Sequence, residues 1–110
     1  MAWEKFTATV ASHYALRLTG GKTHFIKLGA VMREHFAHGD RVTVFYDADR
    51  NAIGLQKTPM GMKIQMSGGQ LAIGAKTFKQ QFKLDMNIVL TAPTFSQEGE
   101  MFVFELTADV

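Results

Sequence analysis

The octet Tyr14 to Gly21, YALRLTGG, returns at Met62 to Gly69 as MKIQMSGG. The residues after each octet recur in kind as well: an alternating segment, a short amphipathic stretch, then two strands. A unit of roughly fifty residues used twice in one short chain points to a single barrel made of two pseudo-equivalent halves. The expected fold is mainly β with two short helices, a single-chain barrel of two pseudo-symmetric ββαββ repeats. One domain is expected over residues 1–110, with repeat one at about 13–57 and repeat two at about 61–107.

In each half the first strand, around Ala15 to Leu18 and Lys63 to Met66, ends in a glycine pair, Gly20-Gly21 or Gly68-Gly69. Such a pair supplies the positive φ of a tight turn. Period-two alternation comes next. His24, Ile26 and Leu28 share one face, as do Leu71, Ile73 and Ala75, the pattern of a half-buried strand. Helices are predicted at Ala30 to Phe36 and Lys76 to Phe82, where Met32 with Phe36, and Phe78 with Phe82, stand four apart. Each is barely two turns, so packing on a sheet must hold it. Val42, Val44 and Tyr46 then alternate up to a turn at Asp47 to Asn51, and Ile53 with Leu55 returns. In the second half Ile88 and Leu90 lead into a loop at Pro93 to Gly99, and Phe102, Phe104 and Leu106 return. The stretch TPMG, Thr58 to Gly61, is the tight joint between the halves.

A chain of 110 residues with no cysteine builds its stability from burial rather than staples. The opening MAWEKFTATV places Glu4 and Lys5 where a signal peptide needs an apolar core, and no apolar run approaches membrane-spanning length. A cytoplasmic protein without membrane contact is expected. The formal charge of +2 is small, but its distribution is uneven. Between Glu4 and Glu34 the chain has Lys5, Arg17, Lys22, Lys27 and Arg33 and no acid; between Asp49 and Asp85 it has Arg50, Lys57, Lys63, Lys76, Lys79 and Lys83 and again no acid. The front of each half is basic and the back mostly acidic. If a pseudo-dyad relates the halves, their basic fronts come to related places and can form one positive face.

The segment Ile26 to Lys57 resembles the SpoVT/AbrB and MazE swapped-hairpin family, whose signature is a short strand, a helix with an apolar-Arg pair, a Gly-Asp turn and a β-hairpin. Met32-Arg33, Gly39-Asp40-Arg41-Val42 and Ile53-Gly54-Leu55 are the matching positions, and the second half echoes them faintly. The resemblance implies an AbrB-like or double-psi-like body that grips DNA with the basic residues of the front hairpin and helix start. Two chains interleave to build that body in the family; two fused halves of one chain would do so here. The corresponding cations are Arg17, Lys22, Lys27 and Arg33 in the first half and Lys63, Lys76 and Lys79 in the second. The same residues are equally the wet-face lysines that keep any surface soluble.

Several motifs fail on their mechanics. Gly21-Lys22-Thr23 ends like a phosphate-binding loop, but Leu16 stands at the first glycine position and a strand comes after it where a helix is required. Asp47, Asp49 and Asn51 open like a calcium loop, yet Ala52 replaces the glycine and Thr58 the closing glutamate, which leaves a hairpin turn. Of His13, His24, His35 and His38, only His35 and His38 can share a helix face, and only if the helix persists to position 38, so no metal is expected. His24 reads as a core-edge histidine. Met60, Met62 and Met66 are either an adaptable surface or, more usually, core filling. Trp3 and Phe6 either seal one end of the barrel or meet a partner. No nucleophile-base pair or separated carboxylate couple marks an enzyme, and no cofactor is expected.

Two functions stand as expectations. One is a double-stranded DNA-binding regulatory protein that uses a basic face shared by both repeats. The alternative is a protein-binding module, such as an antitoxin-like or phage-encoded inhibitor of a larger complex, with the edge of the last strand, Met101 to Leu106, or the Trp3 end as the contact. A monomer that is a pseudo-dimer is the default assembly, with a further dimer open.

Overall fold

Both glycine pairs turn the chain as their composition predicts. Gly21 has φ of +84°, and Gly68 and Gly69 have +58° and +81°. These are left-handed conformations that a side chain would strain. Each turn closes a hairpin of the first sheet: β1 (Leu16–Leu18) with β2 (Phe25–Leu28), and β6 (Gln65–Ser67) with β7 (Gln70–Gly74). The computed structural model describes residues 14–108, so Trp3, Lys5, Phe6 and His13 lie outside the described residues.

The fold is mainly β, in two antiparallel sheets. The remaining strands are β3 (Arg41–Asp47), β4 (Ala52–Lys57), β5 (Met62–Lys63), β8 (Leu90–Ala92), β9 (Ser96–Glu98), β10 (Met101–Glu105) and β11 (Thr107–Ala108). The first sheet runs β11-β8-β1-β2-β7-β6 and the second β5-β3-β4-β10-β9. Each therefore ends on two open edges, and no closed barrel is found among the described residues. In the first sheet β2 and β7 pair with Ile26 opposite Ile73; in the second β4 and β10 pair with Leu55 opposite Phe102. Residues of the two sequence halves thus meet across a ladder in both sheets.

The helices differ from expectation in kind. Lys76–Gln81 is an α-helix, α1. Ala30–Glu34 is a 3-10 turn, with Met32 N–H bonded to Gly29 O and His35 N–H to Met32 O, both at 3.0 Å. Five residues are too few to repay α-helix nucleation, and the tighter i to i+3 bonds close the segment instead. His35 and His38 accordingly share no helix face.

Two strands are also divided differently. The expected strand Lys63 to Met66 breaks at Ile64, which is fully buried and exchanges backbone hydrogen bonds with Gly39 and Asp40. The residues before Ile64 join the second sheet and those after it the first. In the second half Leu90–Ala92 pairs with β1, and the expected loop Pro93 to Gly99 holds a strand of its own, Ser96–Glu98, which crosses to pair with β10. Pro93, which offers no N–H to a ladder, stands between them.

One apolar cluster draws on both sheets, with Leu16, Leu18, Ile26 and Ile73 from the first and Ile53, Leu55 and Phe104 from the second. Each such side chain contributes about 1.5–3 kcal/mol by leaving water. The turn at Asp47 to Asn51 is a hairpin turn: Asp47 Oδ1 accepts from the N–H of Asp49 at 3.0 Å, and Asn51 adopts φ of +48°. Among the described residues no helix is long and apolar enough to cross a membrane.

Candidate nucleic-acid interface

Strands alternate their side chains, so Leu16 and Leu18 enter the core while Arg17, between them, points to the other face of the first sheet. Across the ladders the register places Thr91, Arg17, Lys27 and Ala72 in one transverse row. Arg17 is directly opposite Lys27. Both are half-buried. The six strands of this sheet contain no aspartate or glutamate, whereas Asp47, Glu98 and Glu105 all sit in strands of the second sheet. The carboxylates of the strands are therefore confined to the second sheet, whose strands also hold Arg41, Lys57 and Lys63, while the charged residues of the first sheet's strands are Arg17 and Lys27 alone.

Lys22 is exposed in the turn between β1 and β2, and Lys76 is exposed at the start of α1. The two elements are tied at one end of the sheet, where Ala75 N–H bonds His24 O at 2.8 Å and Phe25 pairs with Gly74. Lys22 and Lys76 thus stand at one end of the sheet whose strands hold Arg17 and Lys27.

The other three cations do not join them. Arg33, at the opposite end of the sheet, donates from its guanidinium to Gly69 O at 2.7 Å. Lys63 lies on β5, an edge of the second sheet, opposite Arg41. Lys79, expected on a phosphate-binding face, is fully buried, at 0% exposure. Its ammonium donates to Thr19 O at 2.5 Å, Ile88 O at 3.1 Å and Met86 O at 3.4 Å. Burial pushes its pKa below the ordinary lysine range, and Asp85 acts against that shift. An ammonium spent on three carbonyls cannot also meet a surface phosphate. The antiparallel pairing of β2 with β7 explains the scatter: it sends the two glycine turns to opposite ends of the sheet.

On the second sheet Arg50 bridges Glu98 and Glu105, at 2.9 and 3.2 Å. Its hydrogen bond to Glu98, then that to Glu105, raises the guanidinium pKa further. Met60, Met62 and Met66 are exposed rather than core residues; Met32 is the buried methionine of the cluster. The His35 ring packs on Phe95 and Phe102 with centroids 5.4 and 4.8 Å apart. Nδ1 of His24 is buried without a hydrogen-bond partner among the described residues. No group of three or more histidines and carboxylates among those residues could hold a metal ion.

Sequence reasoning missed one surface. A cleft of about 360 Å³ lies between β3 and α1, lined by Val42, Val44, Phe78 and Phe82 and rimmed by Met60 and Met62. The stretch Met101 to Leu106, by contrast, is not the open edge it was expected to be over Met101 to Val103, where β10 pairs with β4 on one side and β9 on the other. No family model matches this chain, and no curated protein or solved structure matches it either.

Proposed function

We propose that this protein binds double-stranded DNA, as a regulatory protein, through the acid-free sheet. The observation that carries the reading is the absence of any carboxylate from six adjacent strands that present Arg17 and Lys27 side by side. A polyanion laid along this sheet would meet cations with no carboxylate of its strands to oppose it. Lys22 and Lys76 extend the cationic surface at one end, so the contact set is Arg17, Lys22, Lys27 and Lys76. The swapped-hairpin resemblance points the same way, with a fused pair of halves standing for the family's two chains. Support for that fused layout is the pairing of Ile26 with Ile73 and the reciprocal reach of Arg33 to Gly69 and of Lys79 to Thr19.

About four phosphate contacts give a log-log salt slope of roughly −3 to −4. Fluorescence anisotropy of a labelled duplex, titrated at several salt concentrations, measures it. Lys22→Glu combined with Lys76→Glu is expected to lower affinity by about tenfold or more and flatten the slope, whereas Lys63→Glu on the other sheet leaves both nearly unchanged. Affinity indifferent to salt and to the double reversal would remove the reading. The second reading, a protein-binding module, is favoured by the cleft beside β3 and rests on that surface rather than on the last strand.

A further inference from the structure

Strand β3 outruns its neighbour. β4 pairs it from Val42 to Asp47, but β5 pairs it only at Arg41 and Val42. From Thr43 to Asp47 the side of β3 facing away from β4 therefore has no strand partner among the described residues. An open edge of this length presents backbone donors and acceptors that template another strand. Beside it lies the cleft, whose walls are Val42 and Val44 of β3 and Phe78 and Phe82 of α1. No charged residue lines it. Met60, 94% exposed, and Met62, 46% exposed, stand at its rim. Unbranched thioethers adapt to many apolar shapes, and two of them left in water beside an unpaired edge cost the free protein something that a partner would recover.

We propose that this edge takes up an extended segment of a partner protein by strand addition, with alternate apolar side chains of the segment entering the cleft. Backbone pairing fixes the extended form, and the cleft fixes the side chains. Because strands alternate faces, every second residue of the segment is apolar and lies over Val44, Phe78 and Phe82. The intervening residues face outward, on the side of Phe45, and are neutral or polar. Arg41 and Lys63, both exposed and opposite each other, stand one pair behind Val42 and Met62, after which the open edge begins, so the end of the segment next to β5 is acidic. A helix would leave the backbone edge unused, and a small apolar ligand would fill the cleft without touching it. The inference does not depend on DNA binding, which uses the other sheet.

The test uses capped octapeptides alternating valine and threonine, with one aspartate at either terminus, titrated into the full chain while amide exchange is followed. Saturable binding is expected, with exchange slowed at the outward-facing amides within Thr43 to Asp47. Methylating alternate backbone nitrogens of the peptide should weaken binding by about tenfold or more, because it removes ladder donors. Met60→Glu, at a position too exposed to disturb folding, should weaken it similarly, and Lys63→Glu should weaken the aspartate peptides while sparing an all-neutral one. Four results overturn the proposal. They are equal binding of the methylated peptide, unchanged exchange along β3, no binding at millimolar peptide, and self-association of the free chain that Met60→Glu abolishes, which would assign the edge to a second copy.

Discussion

Arg33 and Lys79 occupy matching places, each directly after an apolar residue and each three residues before a phenylalanine, yet they meet different fates. Arg33 stays at the surface and ties down the second glycine turn; Lys79 goes inside and ties down the first. Local sequence gives no sign of this. The carbonyls that receive the Lys79 ammonium come from Thr19 in the other half, and from Met86 and Ile88 beyond the helix. Lys79→Met keeps an unbranched stem of similar length but withdraws the donors from buried carbonyls, so stability should fall by about 1–3 kcal/mol in urea unfolding at neutral pH. The pH dependence has a definite sign. With the folded-state pKa depressed, the unfolded chain holds more protons between that value and the ordinary lysine value, so wild-type stability rises with pH across that window. The gap between wild type and Lys79→Met should therefore widen on moving from neutral into the alkaline range. A gap that stays level or narrows would mean the buried ammonium is not disfavoured in the fold.

At the level of elements, the residues made legible whatever a short window determines. The glycine pairs turn, Ile26 and Leu28 face the core, and the Asp47 to Asn51 stretch closes a hairpin. What they hid was set by close approach between distant segments. Gly61 is such a place. A Cβ there would overlap the backbone of Val42, so only glycine lets the joint between the halves lie against β3 and deliver β5 to its edge. Thr58 reinforces the same joint, its hydroxyl 2.6 Å from that of Thr43. Gly61→Ala should cost about 1–3 kcal/mol through overpacking and should peel β5 from β3. Amide exchange at Met62 and Lys63 checks this. Acceleration there by far more than the global loss of stability explains is the expected outcome; a uniform change over all strands would show that the glycine is not what seats β5. The division of the expected strand at Ile64, and the cleft beside β3, were illegible for the same reason. Each depends on three segments meeting, and no periodicity within one of them records it.

Over the whole molecule, the pairing pattern ties the halves more closely to each other than the short joint between them suggests. β2 of the first half has β1 on one side and β7 of the second half on the other; β4 likewise lies between β3 and β10. An inner ladder of each sheet, β2 with β7 and β4 with β10, is therefore made by both halves, and the apolar cluster is common property of the two sheets. Neither half can open its central strand without breaking a ladder of the other. Unfolding should be all-or-none, as is usual for domains of this size. Native-state amide exchange tests it residue by residue: the protected amides among Ile26, Ile73, Leu55 and Phe102 should share one opening free energy, agreeing within about 1 kcal/mol, and one denaturant slope. The edge strands β5, β6 and β9 should open earlier, since each pairs on one side alone. Two distinct sets of values, one for the residues before the joint and one for those after it, would show that the halves fold separately and that the shared ladders are incidental. The same cooperativity bears on the two surfaces proposed for binding. Each sheet is braced by both halves, so a charge reversal at Lys22 or Lys76, or a glutamate at Met60, acts on an exposed side chain carried by a rigid sheet or on its border, and a change in binding can be assigned to the side chain itself.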